Sequence, residues 1–182
     1  MNIKCNLKDL INGLNVVAKT SNKTTMPILD GVLIEAYNGK LKLITNDLEI
    51  GSEHTFDCNI IEEGSTVVDI KMLNEIVRKI EDEIVELKEQ DSLFILKSIN
   101  GTFKLATMNP DEFPKLPLFD IESSVTLNQK DLKDILKRTI FSISTDENRP
   151  IYNGALLKVE DNILTVVAID GFRLSLRKNI SD

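Results

Sequence analysis

The fold is decided by a stretch of sequence that occurs twice. It reads Pro27-Ile28-Leu29-Asp30-Gly31-Val32-Leu33 and returns, 123 residues further on, as Pro150-Ile151-Tyr152-Asn153-Gly154-Ala155-Leu156. A second motif precedes each copy at an offset of 122, as Asn6-Leu7-Lys8-Asp9-Leu10 and Asn128-Gln129-Lys130-Asp131-Leu132. Self-similarity at a fixed period indicates a repeated structural unit. The two copies are therefore predicted to fold alike.

One amphipathic helix is predicted in each repeat. Apolar side chains follow the i, i+3, i+4, i+7 rule within residues 7–18, 70–80 and 132–143. Each window follows a residue type that caps helix N-termini, which is Asn6, Asp69 or Asn128. The middle window has little sequence identity to the other two, but its place in the order indicates a third copy of the unit.

Strands are predicted on the C-terminal side of each helix. In the first unit, Ile28–Tyr37 and Lys40–Thr45 flank the hairpin signal Asn38-Gly39. In the third, 154–160 and 163–169 flank Asp161-Asn162, and the middle unit alternates over 66–70, 83–87, 93–97 and 102–108. We expect an α+β fold of duplicated strand–helix–strand units, with helices on one face and antiparallel sheets on the other.

One such unit leaves an open sheet edge and an uncovered apolar face, so two units are expected to cover each other. Residues 1–121 are then a complete domain of two units, and residues 122–182 are half of a second domain. The stretch 108–117 contains three prolines and leads to this boundary. The half-domain is expected to pair with that of a second copy.

Composition excludes several classes of site. The 182 residues are 42% hydrophobic and 28% charged, which is typical of a globular chain. One histidine and two cysteines are too few for a Cys/His zinc site or a disulfide framework. We expect no signal peptide, because Met1 leads into charged, amphipathic sequence, and no apolar run in the sequence reaches membrane-spanning length. We expect a cytoplasmic protein with no membrane contact, no metal and no cofactor.

The charge is unevenly distributed. The formal net charge is −7, yet the windows 7–23, 70–80 and 128–143 each carry +2. Two interpretations stay open. Lysine is a good helix former and these faces are simply solvated, or the three polar faces line one surface that meets a polyanion while the acidic remainder repels it elsewhere.

The sequence contains few sets of residues that are typical of a catalytic site. His54 lies in a predicted strand, which favours a structural role. Asp47 and Asp170 recur at equivalent strand ends and are interpreted as Asx turns that hold their own backbone, with unperturbed titration expected. Cys5 and Cys58 are expected to behave as small apolar residues. An enzyme that uses buried carboxylates is a minor alternative.

Two segments then give a resemblance to a known family. They are Asn148-Arg149-Pro150-Ile151-Tyr152-Asn153-Gly154-Ala155-Leu156-Leu157 and Val167-Ala168-Ile169-Asp170-Gly171-Phe172-Arg173-Leu174-Ser175. With Met26–Leu29, Asn46–Ile50 and Phe113-Pro114, they resemble the bacterial sliding clamp, the beta subunit of DNA polymerase III. The resemblance runs in order through essentially all 182 residues.

The resemblance implies a processivity factor that encircles duplex DNA, tethers the replicative polymerase and has no catalytic residues. The full-length subunit would form a head-to-tail homodimer ring, associated with the nucleoid, of which this chain covers one domain and a half. Together with the charged helix windows, the resemblance predicts DNA contacts at Lys8, Lys19, Lys23, Lys71, Arg78, Lys137, Arg138 and Arg149, of which Lys23 and Arg149 lie in loops that match DNA-proximal loops of the family. Lys23 stands where the family usually has arginine.

The family also implies a pocket for short peptide motifs of polymerases, the clamp loader and repair proteins. The matching positions are Tyr152, Ile169, Gly171, Phe172, Arg173 and Leu174. Tyr152, Ile169 and Phe172 depart from the aliphatic, threonine and histidine that are usual there, and a further domain supplies the other wall. The alternative function is a protein-interaction scaffold of duplicated α+β units that does not bind nucleic acid.

Overall fold

The computed structural model describes residues 1–20, 26–116 and 125–180. The chain divides into two compact units, unit 1 (Met1–Leu118) and unit 2 (Phe119–Asp182). The predicted boundary between residues 121 and 122 lies outside the described residues. Its position stays a prediction, and each unit is described by itself.

Unit 1 contains two copies of the predicted strand–helix–strand order. Its elements are β1 (Asn2–Asn6), α1 (Leu7–Val17), β2 (Gly31–Tyr37), β3 (Lys40–Asn46), β4 (Gly51–Asp57), β5 (Asn59–Glu62), β6 (Gly64–Asp69), α2 (Ile70–Val77), β7 (Ile84–Gln90), β8 (Leu93–Ser98) and β9 (Gly101–Met108). Short 3₁₀ turns lie at Ala18–Thr20, Pro27–Asp30 and Pro110–Glu112. The short strand β5 was not expected from the sequence.

The two copies exchange their first strands. The nine strands form one antiparallel sheet in the order β4-β3-β2-β6-β9-β8-β7-β1-β5. Strand β6, from the second copy, pairs with β2 of the first, and β1 pairs with β7 of the second. Each copy therefore closes an edge of the other, as the covering argument predicted.

Two apolar clusters hold the sheet of unit 1. The larger joins α1 and α2 to one face of the sheet and includes the fully buried Leu10, Leu14, Leu73, Leu87 and Phe94. The smaller lies on the opposite face of β2, β3 and β6, where the segment that contains Phe113 covers Leu33, Ile44 and Val67. Both helices pack on one face, which confirms the predicted fold class.

The helix starts and the end of the first helix were predicted correctly, but the ends of the second and third helices were not. The side-chain oxygens of Asn6, Asp69 and Asn128 accept hydrogen bonds from Lys8, Met72 and Lys130 N–H respectively, as N-caps do. The second helix ends at Val77 and the third at Lys137, several residues earlier than their apolar spacing indicated. In the third, Thr139 leaves helical geometry with φ of −124°.

Both repeated Pro stretches begin as 3₁₀ turns, and the predicted strand start at 28, which lies inside the first turn, was wrong; the predicted start at 154 was two residues early. Pro27 and Pro150 open these turns, and the strands begin at Gly31 and Leu156. A proline ring fixes φ near the helical value and removes the N–H that a strand would donate. The hairpin turns were correct: Asn38 and Gly39 have positive φ, which a type I′ turn requires.

Unit 2 contains one copy of the repeat. Its elements are α3 (Gln129–Lys137), β10 (Leu156–Glu160), β11 (Ile163–Ile169) and β12 (Leu174–Ile180), with 3₁₀ turns at Ile140–Ser142 and Pro150–Tyr152. The three strands form an antiparallel sheet in chain order. A small core of Ile135, Leu164 and Val166 joins α3 to β11.

Within the described residues, no helix is both long enough and apolar enough to cross a lipid bilayer.

Candidate nucleic-acid and peptide surfaces

The outer faces of α1 and α2 carry exposed cations. Lys8 and Lys71 lie in the first turns of α1 and α2, and Lys19 lies in the 3₁₀ turn that continues α1. The three ammonium groups form no ion pair with any described residue. These cations, with Arg78, are called the cationic helix face of unit 1.

Arg78 joins the two helices of this face. At the C-cap of α2, its Nη2 donates to Asn15 Oδ1 of α1 at 2.7 Å and its Nε to Asn74 Oδ1 at 3.1 Å. Both partners are neutral amides, so the guanidinium is held in place without losing its charge. Asn15 was missed by the sequence reasoning, although its spacing from Lys8 and Lys19 places it on the same helix face.

Two of the predicted cations of unit 2, unlike the lysines of unit 1, lie close to carboxylates. Lys137 is exposed, but Arg138 Nε lies 2.7 Å from Asp134 Oδ2, with both side chains 57% exposed. Arg149 Nε lies 4.0 Å from Asp146 Oδ2. Backbone and side-chain hydrogen bonds from Asn148, more than the charge of Arg149, lower the pKa of Asp146. Lys23 lies outside the described residues.

An open groove of about 540 Å³ lies in unit 2, between the end of α3 and strand β12. It is lined by Asp134, Lys137, Arg138, Phe141, Leu174, Ser175, Leu176 and Arg177. Of the six residues predicted for the peptide pocket, only Leu174 lines this groove. Arg173 stands beside it, with its guanidinium carbon 5.8 Å from the centre of the Phe141 ring, in cation–π range.

The other predicted pocket residues do not line this groove. Phe172 is fully exposed in the Asp170 turn, and Tyr152 and Ile169 are half-buried. Gly171 has φ of +90°, and a side chain there would lie 3.6 Å from Arg149 Nη1. The sequence reasoning missed Phe141 and Leu176, though strand alternation places Leu176 on the same side as Leu174.

The two repeated aspartates form Asx turns, as predicted. Asp170 Oδ1 accepts the N–H of Phe172 and of Arg173, and Asp47 Oδ1 accepts those of Glu49 and Ile50. The expectation of an unperturbed titration was wrong for Asp170. These backbone hydrogen bonds, and then the Arg173 side chain, lower the pKa of Asp170. A carboxylate held ionised in this way is no proton donor at neutral pH.

The remaining candidate side chains serve packing. The His54 ring lies in β4, 6.0 Å from that of Phe56 and against α1 at Gly13. Burial, then the neighbouring Cys58 and Asp9, raises the pKa of Cys5 to about 12, and burial also raises that of Cys58. In the described part of the chain, no three His, Cys, Asp or Glu residues are grouped to hold a metal.

Comparison with known proteins identifies the family of both units. The family model "DNA polymerase III beta subunit, N-terminal domain" matches residues 1–117, and the model of the central domain matches residues 126–181. The beta sliding clamp of Halalkalibacterium halodurans is 37% identical over 179 residues, which are 92% of this chain and 47% of that protein. The chain thus spans about half the length of the curated relatives that it matches.

Solved structures agree. The sliding clamp of Bacillus subtilis matches all of this chain and 50% of its own, with a TM-score of 0.97 and 31% identity. The Bartonella birtlesii clamp, solved bound to griselimycin, matches the same shares with a TM-score of 0.92 and 31% identity. Because the family models match residues 1–117 and 126–181, the chain belongs to the DNA polymerase III beta subunit family.

Proposed function

We propose that this chain is part of a sliding clamp, a processivity factor that encircles duplex DNA and tethers the replicative polymerase. The single observation that carries the proposal is the cationic helix face of unit 1, which presents unpaired lysines on a chain of net charge −7. The clamp has no catalytic residues of its own and serves as an accessory subunit of the polymerase in the cytoplasm, at the nucleoid.

A few exposed cations suit a protein that must slide. Lysine and arginine attract the phosphate backbone regardless of base sequence, and this attraction falls as salt rises. Non-specific contacts of this kind give dissociation constants of roughly 10⁻⁴ to 10⁻⁶ M at physiological salt. Such weak binding lets the DNA move, while retention depends on the closed ring. The acidic remainder of the chain repels DNA elsewhere.

The proposed DNA contacts have unequal strength. We infer that Lys8, Lys19, Lys71 and Arg78 of unit 1 contribute most, because solvent or neutral amides surround them. Arg138 and Arg149 contribute less, since a phosphate must compete there with Asp134 and Asp146. Lys137 and Lys23 complete the proposed set.

The second proposed site takes short peptide motifs of polymerases, the clamp loader and repair proteins. Its proposed residues are Tyr152, Ile169, Gly171, Phe172, Arg173 and Leu174, and we include Phe141 because its ring lies beside the Arg173 guanidinium. Exposed aromatic and arginine side chains around an apolar strand end are typical of binding hot spots. The griselimycin complex of the Bartonella birtlesii clamp supports ligand binding by this fold.

The domain organisation belongs to the same proposal. Residues 1–121 would form the first clamp domain and residues 122–182 half of the second, within a full-length subunit that forms a homodimer ring. The alternative of a scaffold without nucleic acid is not favoured, because relatives over the whole chain are sliding clamps.

The test uses an intact clamp subunit that carries this sequence. After enzymatic loading, the clamp should stay on circular plasmid DNA and leave linearised plasmid by its ends. Equal retention on both would contradict the topological mechanism. The triple variant Lys8→Glu, Lys19→Glu, Lys71→Glu should lose loading and processive synthesis.

A matched control reverses the same amount of charge elsewhere. Lys4, Lys40 and Lys104 are exposed on strands of the same unit, and each alternates with residues that face the helices. Their triple glutamate variant should load nearly as well as the unaltered clamp. If both triple variants lose loading equally, net charge and not the helix face is responsible.

A further inference from the structure

The two cysteines of the chain, which are distant in sequence, meet where strands β1 and β5 pair. These strands are antiparallel, with Lys4 opposite Asn59. One step further along the same register, Cys5 lies opposite Cys58, the residue directly before β5. All four residues belong to unit 1, so nothing beyond that unit is needed to bring the two thiols together.

Both thiols lie on the same face of the sheet. Cys5 is 3% exposed within the larger apolar cluster of unit 1, and Cys58 packs against that cluster. Lys4 and Asn59 alternate with them and are exposed. Directly opposite residues of an antiparallel pair point to the same face, so the two side chains are cross-strand neighbours. This proximity is also why Cys58, after burial, contributes to the raised pKa of Cys5.

The backbone of Cys58 indicates which kind of antiparallel pair this is. Its N–H donates to the carbonyl oxygen of Gly39 at 2.9 Å, and not to β1. A residue whose N–H points away from its partner strand belongs to a non-hydrogen-bonded pair, in which the Cα atoms lie about 4.5 Å apart and the side chains are closest. A disulfide spans Cα–Cα separations of about 4.4–6.8 Å, so the two thiols are within bonding reach.

The position of Cys58 is held from both ends of β5. The Gly39 contact ties the residue before the strand to the β2–β3 turn. The residue after the strand, Glu63, accepts the N–H of Asn38 in the same turn through its Oε1 at 3.0 Å. Although β5 is the last strand of the sheet, it therefore has little freedom to slide along β1.

We propose that Cys5 and Cys58 form a redox-active pair, which a peroxide oxidises to a disulfide that joins β1 to the edge strand β5. The Cys58 thiolate attacks one peroxide oxygen, the O–O bond breaks, and Cys58 becomes a sulfenic acid as the first water is released. Cys5 then attacks Sγ of Cys58, the S–S bond forms, and the hydroxyl leaves with the Cys5 proton as the second water. The two thiols lose two electrons, and the peroxide gains them. The inference goes beyond the proposed DNA function and does not depend on it.

The two thiols differ in burial, which sets the order of these steps. Cys58 is half-buried and Cys5 is buried, so the peroxide reaches Cys58 first. Burial raises the pKa of both thiols, so little thiolate is present at neutral pH and the oxidation is slow. The apolar cluster then shields the disulfide from thiol reductants. The pair is therefore suited to record prolonged oxidation and not a brief pulse.

The first test treats the folded 182-residue chain with hydrogen peroxide, blocks the remaining thiols with iodoacetamide and maps the peptides without reduction. An intramolecular link between Cys5 and Cys58 should account for most of the oxidised chain. Because this bond closes the loop from residue 5 to residue 58, the linked chain should unfold at a higher urea concentration than the reduced chain. Reduction with dithiothreitol should abolish the difference.

A matched control moves one thiol by a single position. In the double variant Cys58→Ser, Asn59→Cys, the new thiol lies opposite Lys4 on the other face of the sheet. Its yield of the link to Cys5 should be at least about tenfold lower at equal peroxide, because side chains that point apart cannot be bridged. Amide protection in β1 and β7, measured before oxidation, shows whether the variant is folded. If it is not, Asn59→Cys alone replaces it, and Cys5 should still link to Cys58.

Any of four results overturns the proposal. Thiols that stay free at a peroxide concentration that oxidises the urea-unfolded chain show that the folded pair is not redox-active. Oxidation of Cys58 alone to sulfinic or sulfonic acid shows that Cys5 does not reach it. Links between chains, and none within a chain, show the same. Equal linkage of Cys5 to positions 58 and 59 shows that the bond forms only in the unfolded chain.

Discussion

The first repeat of unit 1 and the single repeat of unit 2 have the same local structure and different burial. Both place an asparagine-capped helix before a three-stranded meander, and both turn at an aspartate that accepts two backbone N–H groups. The residue after that aspartate has positive φ in each, Leu48 at 75° and Gly171 at 90°. Yet Leu10 and Leu14 are buried, while the corresponding Leu132 and Leu136 are half-exposed.

The comparison separates what a repeat encodes from what its neighbour provides. Caps, turns and strand pairing within the meander form in both copies, because they depend on residues close in sequence. Full burial of α1 and β2 requires the second repeat, which supplies α2 and β6. The hydrophobic stabilisation of the domain is therefore shared between repeats, and unit 2 has only part of it.

The largest expected difference concerns thiol reactivity at one repeat position. Cys5 is buried, whereas the corresponding Leu127 is half-buried. A pKa of about 12 leaves the Cys5 thiolate about 10³ times scarcer than the ordinary value of 9.0 would. In a Leu127→Cys variant at pH 8, the new thiol should therefore react with iodoacetamide at least ~10²-fold faster than Cys5 does.

Peptide mass spectrometry measures the two rates, and in denaturant they should become similar. Equal rates in the folded chain would mean that the two positions are equally open. The raised pKa also has a consequence for stability. The unfolded chain releases the thiol proton at lower pH than the folded one, so the free energy of unfolding of unit 1 should fall as pH rises above 9.

The next effect concerns the helix cores. Truncating a fully buried leucine removes its contacts and leaves a cavity, so Leu10→Ala should lower the free energy of unfolding of unit 1 by about 3 kcal/mol. Leu132→Ala removes a half-exposed side chain and should lower that of unit 2 by about 1 kcal/mol. Urea denaturation followed by amide protection in each unit checks both values. A similar decrease in the free energy of unfolding for both variants would contradict the unequal burial of the two leucines.

Local order and the mutual covering of two units were predictable from the sequence, whereas the identity of the exchanged strands and the extent of burial were not. The caps Asn6, Asp69 and Asn128 and the Asn38-Gly39 turn depend on side chains within a few residues. The 3₁₀ turn at Pro27 was missed because the apolar Ile28 and Leu29 precede the strand directly and were taken as its start. Of the residues that line the groove in unit 2, the sequence reasoning assigned only Leu174 to the peptide pocket. Phe141 was missed because it lies inside the window that was predicted to be helical, whereas α3 ends at Lys137.

The shared Asx turn gives a smaller effect with a defined pH sign. Because hydrogen bonds lower the pKa of Asp170, the folded state binds its proton less readily than the unfolded state. This contribution to stability is present above the ordinary carboxyl pKa and is lost as pH falls through the lowered one. Carboxyl NMR titration should place the Asp170 midpoint below 3.8. A midpoint above 3.8 would show that the turn is open in solution.

The smallest effect concerns the exposed pair Asp134–Arg138. Exposed i, i+4 pairs contribute about 0.3–0.5 kcal/mol, so Asp134→Asn should change the stability of unit 2 by no more than this. The same change removes the carboxylate that competes with phosphate and should strengthen DNA binding about two- to threefold, measured by fluorescence anisotropy at low salt. Weaker DNA binding by this variant would remove Arg138 from the proposed contacts.

The central claim is that the mildly cationic helix faces meet the duplex. It is tested most directly by amide NMR of the 182-residue chain titrated with a short duplex at low salt. The account predicts shift changes on the outer faces of α1 and α2 around Lys8, Lys19 and Lys71, smaller changes on α3, and loss of all of them as salt rises. Changes centred on the opposite sheet face, around Lys4 and Lys104, would contradict it.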